Sequence, residues 1–339
     1  MIPASINTAA ATSFGMTSAA ALRPFLDKHG MSNISVNGKA LRTNAPASLR
    51  YDEWKDIDRA VIEVATQRLT GVADLIGKGL VHQLGSVGNT VSLYERQSDM
   101  DPAAITMSGL SRSGEDTPNY DNKQVPVPVV HKDFRVNFRR LEASRKFGES
   151  IDVTAARLAG RVVAEATESM LFSGSTIILD SNPIYGYVTH PDRNTVSLAM
   201  QWTNGSKTGA LILADVQAML AAARADLYFG PFTLYIPAAY EGKLDDDFNP
   251  ATSDTRTIRQ RIMMLEGIAE IKVADRMPAH TCVLVQLTTD VVDMAIAQDV
   301  TTVSWQAMGG LQELFKVMAV WVPRVKSTFD GQSGIVVLS

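Results

Sequence analysis

An α+β fold is what this sequence predicts, and three observations predict it. Between Val125 and Phe138, the apolar residues Val127, Val129, Phe134, Val136 and Phe138 alternate with polar ones, the period of a strand. The charged run His131-Lys132-Asp133 is expected to break that strand as a turn. Further on, Ala155, Ala159, Val162, Ala166 and Met170 recur every three or four residues, and Leu158, Val163 and Leu171 widen the stripe, so one long helix with an apolar face is expected. From residue 184 to residue 287 strand and helix patterns alternate, as in a compact mixed lobe.

The long helix is the first element to justify. Ser150 or Asp152 is placed to cap its start, Glu149 and Asp152 suit the positive end of its dipole, and Gly174 stands where a left-handed stop is expected. About 20 residues at about 1.5 Å each give a girder of roughly 30 Å. Its opposite face carries Arg157, Arg161, Glu165 and Glu168, with Arg161 expected to form solvated pairs with Glu165 or Glu168. Such pairs are worth only about 0.2–0.5 kcal/mol each.

Size and composition bound the rest. A chain of 339 residues exceeds the size at which a single core keeps growing, so two or more lobes are expected. Hydrophobic content of 45% beside 20% charged residues is that of a globular protein. The longest apolar runs, such as Ala210 to Leu213 and Val317 to Val322, are far too short to cross a bilayer. No basic stretch followed by an apolar run and a cleavage site stands at the start, so neither export nor processing behind Met1 is expected. The single cysteine, Cys282, excludes a disulfide within the chain and reads as a small buried hydrophobe. A formal charge of −4 gives no footprint for gripping nucleic acid, and a surface that encloses DNA without gripping it would look the same.

In chain order, residues 1–50 are rich in Ala, Ser, Thr, Asn and Gly, with one short helical segment from Thr17 to His29. Such an arm has little with which to build its own core and is expected to be held by a neighbouring subunit. Asp52-Glu53-Trp54 opens a helix running through Val61, Ile62 and Leu69 to about Leu75. A strand over Thr90 to Arg96 and the strand from Val125 flank some thirty residues full of Ser, Asp, Gly, Asn and Pro. A two-stranded extension is the better reading of that stretch than a long structureless loop. Because a lone hairpin is marginal in water, it is expected to lie on another subunit. Beyond the long helix come a short strand and turn over Ile184 to Asn194, and an amphipathic helix over 208–226 with Ile212, Val216, Met219, Leu220 and Ala223 inside. Then follow a strand over Phe232 to Pro237, helices over Ala238 to Leu244 and Thr255 to Leu265 around Asp245-Asp246-Asp247, and strands over Ile268 to Ala274 and Cys282 to Leu287. The end is strand-rich: Thr301 to Met308, Leu314 to Pro323 and Gly334 to Leu338.

This order of parts resembles the Hong Kong 97-type major capsid proteins of tailed bacteriophages, a fold shared with encapsulin shells. The resemblance is carried by the Asp52-Glu53-Trp54 helix start, by Pro126 to Phe134 and on to Glu142, by Ala164-Glu165 through Leu171-Phe172-Ser173-Gly174, and by Ile184-Tyr185-Gly186. It covers nearly everything from residue 51 and implies six parts. They are an N-terminal arm (1–50), an N-terminal helix region (51–87), an extended β-hairpin loop (88–132), a peripheral domain with the spine helix (133–178), a mixed α/β axial domain (179–299) and return strands of the peripheral domain (300–339). It further implies a structural, non-enzymatic protein that self-assembles into hexamers and pentamers of an icosahedral virion head. Such a head encloses double-stranded DNA, is built in a bacterial cytoplasm, and has scaffolding, portal and decoration proteins as its kinds of partner. An encapsulin-like compartment enclosing a cargo enzyme is the alternative. With so short an arm no fused scaffold is expected, only a separate one or none.

Arg96, Glu115, Lys132, Arg139, Arg140 and Glu149, charged residues at the hairpin and spine, are the candidates for contacts between subunits. Left solvated, such charges contribute less than about 1 kcal/mol each. No cofactor or metal is expected. His29, His82, His131, His190 and His280 lie far apart in the sequence, and Gly85-Ser86-Val87-Gly88-Asn89-Thr90 lacks the lysine of a phosphate loop. Asp245-Asp246-Asp247 has Arg256 where a calcium loop needs its twelfth-position glutamate. Some capsid relatives cross-link a loop lysine to a neighbour's asparagine; Lys123 lies in the matching loop, but no partner set is visible and no cross-link is expected.

Overall fold

The computed structural model describes residues 33–36, 39–42, 51–100, 102, 103, 105–108, 117–147, 153–249, 256–308 and 311–339. The helical segment expected over Thr17 to His29 lies outside the described residues. Strands β1 (Asn33–Val36) and β2 (Lys39–Arg42) pair antiparallel with each other.

The helix expected from Asp52 to Leu75 is two helices, α1 (Tyr51–Arg68) and α2 (Gly71–Gly77). The break has a partner far along the chain: the Glu168 carboxylate accepts the backbone N–H of Gly71 at 2.6 Å and of Val72 at 3.2 Å. Gly71 permits that approach, since a Cβ there would stand 2.8 Å from Leu171 Cδ2. After β3 (Val81–Gln83), strands β4 (Val91–Gln97) and β5 (Tyr120–Pro126) form the expected two-stranded extension, Val91 opposite Pro126 and Gln97 opposite Tyr120. The break in the next strand falls at 127–129, not at His131-Lys132-Asp133. Pro126 and Pro128 have no N–H to give a ladder, which ends the pairing there. His131, Lys132 and Asp133 lie inside β6 (Val130–Asn137), opposite Met318, Val317 and Lys316. That strand is the edge of its sheet, where outward charges are tolerated and discourage stray pairing.

Helix α3 (Phe138–Phe147) leads to the spine, α4 (Thr154–Ser173). Val153 precedes its first turn and offers no side-chain cap, while Glu149, Ser150 and Asp152 lie outside the described residues. The buried face is Ala156, Ala159, Gly160, Val163, Ala164, Thr167, Glu168, Met170, Leu171 and Phe172, turned from the expected stripe, so that Leu158 and Val162 remain 49% and 40% exposed. Packing against α1 decides the rotation. Gly160 lies so close under Val61 that an added Cβ would meet its carbonyl oxygen at 3.1 Å, and the small residues Ala156 and Ala164 extend that row. Gly174 does end the helix, but with φ 75° and ψ −163° it is not in the helical left-handed well. A Cβ there would run into the carbonyl of Ile184, so only glycine fits.

Strands β7 (Ser175–Leu179) and β8 (Asn182–Ile184) form a hairpin that was not expected: the short strand expected from Ile184 onward overlaps it at that residue alone, and Ile177 and Ile178 are exposed rather than alternating in and out. The mixed lobe follows: β9 (Asn194–Val196), α5 (Gly209–Ala225), β10 (Phe232–Ile236), a 3₁₀ turn (Ala238–Tyr240), α6 (Glu241–Leu244), α7 (Ile258–Met263), β11 (Ile268–Val273) and β12 (Cys282–Gln286). Helix α5 buries Ile212, Val216, Met219, Leu220 and Ala223, the expected face. The chain then makes a long ribbon, β13 (Val292–Ala307) with β14 (Gln312–Val325), and ends in β15 (Ile335–Leu338). The first ribbon strand starts at Val292, well ahead of Thr301.

Two sheets carry two cores. The sheet β3-β13-β14-β6 packs against α1, α2 and α4 around Val61, Val163, Leu171, Phe315 and Trp321. The sheet β11-β10-β12-β15-β9 packs its other side against α5 and α7 around Trp202, Met219, Phe232, Leu284 and Ile262. The final strand pairs with β12 and β9 in this second sheet, not with the ribbon. All four of its residues are buried, Ile335 and Val337 toward the first core, Val336 and Leu338 toward the second.

Candidate functional site

Charge roots the β4–β5 extension on the ribbon. Asp293 and Arg324 stand opposite each other in register and form two parallel bonds, each of 2.6 Å, with side chains only 8% and 5% exposed. Lys326 adds a third contact to Asp293 at 2.7 Å. The remaining Arg324 nitrogen reaches the extension, donating to Ser92 Oγ and to the carbonyl of Leu93, both at 3.2 Å. Tyr94 donates its hydroxyl to the carbonyl of Val325 at 3.3 Å, and burial pushes its phenol up to about 12. Arg96 closes the set, bonding Asp121 at 2.9 Å across the extension, Ser327 Oγ at 3.0 Å and the carbonyl of Thr328 at 3.3 Å. The bonds from Arg96 and Lys123 hold the Asp121 carboxyl below the usual carboxylate range.

These contacts also set a direction. Ser92 meets Arg324, Tyr94 meets Val325 and Arg96 meets Ser327, so the extension leaves past the end of β14, away from the ribbon tip at Ala307 and Gln312. Beside its root is a cavity of about 460 Å³ lined by Tyr94, Arg96, Lys123, His190 and Phe329 among others. Burial pushes the His190 imidazole down to about 4, and its ring meets that of Tyr185 edge-on at 5.6 Å.

Both ends of this frame expose apolar side chains. Beyond the paired strands, Ile105 and Met107 are 98% and 106% exposed, with Asp99 exposed nearby. At the ribbon tip Phe138, Met308 and Leu311 are 43%, 73% and 62% exposed, and the Phe138 N–H donates to the carbonyl of Leu311 at 3.1 Å.

A buried polar junction joins the spine to the mixed lobe. Glu168, expected as a solvated partner of Arg161, is 1% exposed, because it accepts the first N–H groups of α2 instead. Burial pushes its carboxyl up to about 7 against those backbone donors. Arg161 pairs with Glu165 alone of the two, at 3.7 Å, and Glu165 is also bound by Arg276. One turn into α2, Asp74 accepts from the Tyr235 hydroxyl at 2.8 Å and is bound by Lys272, which reaches Glu270 at 2.9 Å.

The six residues expected at subunit contacts fall in different places. Arg96 is engaged within its own chain at the root. Lys132 is exposed on the edge strand β6, and Arg139 and Arg140 are exposed in the first turn of α3. Glu115 and Glu149 lie outside the described residues. Lys123 pairs with Asp121 at 3.0 Å. Of the acidic trio, Asp245 pairs with Arg259 at 2.9 Å and Asp246 with Lys243 at 3.0 Å. Cys282 is buried, which raises its thiol well above the ordinary range. Among the described residues no group of three or more His, Cys, Asp or Glu is placed to hold a metal, and no helix is long and apolar enough to cross a membrane. Asp293 and Arg324 were not singled out from the sequence, although Arg324 interrupting the apolar run Val320-Trp321-Val322-Pro323 was a usable signal.

Spine helix, rooted β-extension, mixed lobe and ribbon together make the Hong Kong 97-type α+β fold; by fold the chain is of the capsid and encapsulin-type shell class. A family model described as "Family of unknown function (DUF6260)" matches residues 44–338, and the chain belongs to that family. The type 1 encapsulin shell protein EncA of Myxococcus xanthus (strain DK1622) is 24% identical over 290 residues, 84% of this chain and 92% of EncA. The virus-like particle of Pyrococcus furiosus superposes with a TM-score of 0.61 at 18% identity, over 84% of this chain and 98% of that one. The capsid of Myoviridae phage XM1 also gives 0.61, at 9% identity over 76% of this chain and 88% of that one.

Proposed function

We propose that this chain is the structural subunit of a closed icosahedral shell, and specifically the major capsid protein of a phage head that encloses double-stranded DNA. The observation that carries the shell reading is the β4–β5 extension: two strands rooted by buried charge, ending in apolar residues that nothing in the same chain covers among the described residues. A lone hairpin ending in exposed apolar side chains gains stability only from another surface. In this reading residues 133–178 and the ribbon form the peripheral domain, and the chain from 179 up to the ribbon's start at Val292, joined by β15, forms the axial domain. Residues 1–50 and 88–132 reach neighbouring subunits, with Lys132, Arg139 and Arg140 at the contacts. Hexamers and pentamers are the expected units, and scaffolding, portal and decoration proteins the expected partners in a bacterial cytoplasm. Each interface is modest, and closure makes the whole stable by multivalency.

A cargo-enclosing compartment is the second reading, favoured by the 24% identity to EncA over most of both chains. Negative-stain microscopy of the purified chain tests the shell: closed particles with five- and six-fold clusters are expected, and a monomer at every concentration would overturn it. The contents then separate the two readings. Nuclease-protected DNA in particles from infected or induced cells is expected, whereas a co-purifying enzyme with no DNA would replace the head by the compartment.

A further inference from the structure

We propose that the free edge of β7 pairs antiparallel with β7 of a second copy across a two-fold axis, an inference that builds on the shell reading above. Four of the five residues of this strand are exposed, Ile177, Ile178 and Leu179 by 48%, 65% and 38%, so neither of its faces is covered among the described residues. Its one ladder, to β8, is thin. The register shifts between Ser175 and Ile178, which leaves Thr176 and Ile177 out of the ladder, and Pro183 opposite Ile178 has no N–H to give. The hairpin is nevertheless held in shape. Asp180 and Ser181 at its turn have φ 49° and 65°, the left-handed pair of a tight hairpin turn, and Asn182 Nδ2 donates to the carbonyl of Asp180 at 3.0 Å. A preformed apolar strand with one open edge is a place to add another strand.

Charge decides which strand is added. Edges of sheets are guarded by charged side chains, and the other edge strands of this length or longer among the described residues carry them: Glu95 in β4, Lys123 in β5, Lys132 in β6 and Lys272 in β11. Strand β7 has none. Paired antiparallel about Ile177, two copies set Thr176 opposite Ile178 and Ser175 opposite Leu179. Asp180 of each then lies opposite Gly174 of the other, which keeps the two carboxylates about 20 Å apart at about 3.3 Å per residue, beyond the screening distance of about 8 Å in physiological salt. A parallel pair would instead set Asp180 on Asp180, and any of the charged edges would bring a lysine or glutamate against isoleucine. Self-pairing of this kind is isologous, and a closed icosahedral shell contains the two-fold axes it needs.

Exchanging charge at the centre of the ladder tests this in the full-length chain. Ile177→Lys and Ile177→Glu each place like charges directly opposite one another, and each alone should raise the concentration needed for assembly, read by light scattering, about tenfold or more. Mixed in equal amounts, lysine faces glutamate, and assembly should return to within about threefold of the parent. Ile177 is half-exposed, so both variants should melt where the parent does, and the uncharged Ile177→Thr should assemble like the parent. Ile177→Cys should give a disulfide-linked dimer under mild oxidation, because directly opposite residues stand within bridging reach, and the parent should give none, its single cysteine being buried. If the parent closes shells and both charged variants do so equally well, or if the mixture does no better than either variant alone, the self-pairing is wrong and the shell reading stands. A parent that stops at a dimer linked through position 177 would keep the pairing and overturn the shell; a parent monomeric at every concentration would overturn both.

Discussion

Asp293→Ala should destabilise the unassembled chain by about 3–5 kcal/mol, far beyond what an ordinary ion pair contributes. The magnitude follows from what is left behind. Arg324, 5% exposed, loses both of its 2.6 Å bonds yet cannot reach water, keeping only Ser92 Oγ and the carbonyl of Leu93. Lys326 suffers less, since it is 18% exposed and retains the carbonyl of Thr289 at 2.6 Å. Removing both charges with Asp293→Leu and Arg324→Met should return stability to within about 1 kcal/mol of the parent, because a well-packed apolar pair replaces a desolvated one. That double variant nevertheless lacks the two bonds from Arg324 to the extension. It should fold like the parent and assemble poorly. Equilibrium urea unfolding measures the first effect, and light scattering at matched concentration the second. A loss below about 1 kcal/mol for Asp293→Ala, or full assembly of the double variant, would refute the view that a buried charge roots the extension.

Gly174→Ala should abolish soluble expression or cost well over the about 1–3 kcal/mol of a strained backbone, because its Cβ would collide with the carbonyl of Ile184; thermal melting reads it. Glu168 and His190 should impose opposite pH slopes on unfolding. Glu168 is raised from 4.5 to about 7, so its contribution is full below about 4.5 and is lost as pH rises through 7. His190 is lowered from 6.5 to about 4, so its contribution is full above about 6.5 and is lost as pH falls toward 4. Each displacement corresponds to about 3 kcal/mol at most, at 1.36 kcal/mol per pH unit. Urea midpoints of the parent should therefore vary little between about pH 4.5 and 6.5. Glu168→Gln should leave a midpoint that rises with pH there and His190→Gln one that falls; parallel profiles for all three chains would sink the assignment. Cys282 should resist a thiol reagent in the folded chain and react at once in denaturant, since both access and the thiolate are withheld by burial.

Local periodicity made α5 legible: Ile212, Val216, Met219, Leu220 and Ala223 are spaced for one face, and that face is the buried one. The extension was legible for a different reason, two strand patterns bracketing a stretch too long to be a loop. The spine helix was legible in extent but not in rotation. Its expected stripe took in Ala155, Leu158, Val162 and Ala166 beside the buried Ala159, Val163, Met170 and Leu171, whereas close approach of α1 selects Ala156, Gly160 and Ala164, a preference only visible once the partner is known. Glu168 could not be placed by spacing, because its partners lie almost a hundred positions earlier in the chain. The β1–β2 pair was missed although Asn37-Gly38 stands between its strands, the strongest short-range hairpin signal there is. The root was missed for want of any local pattern: Asp293, Arg324 and Ser92 come together only through the ribbon.

In β10, β12 and β15 successive side chains belong to alternate cores: Leu234, Leu284 and Val336 to one, Tyr235, Val285 and Val337 to the other. Without Ile335–Leu338 both interiors would be open at once, because β15 lies between β12 and β9 in this shared wall. One four-residue strand thus couples the closing of the two lobes.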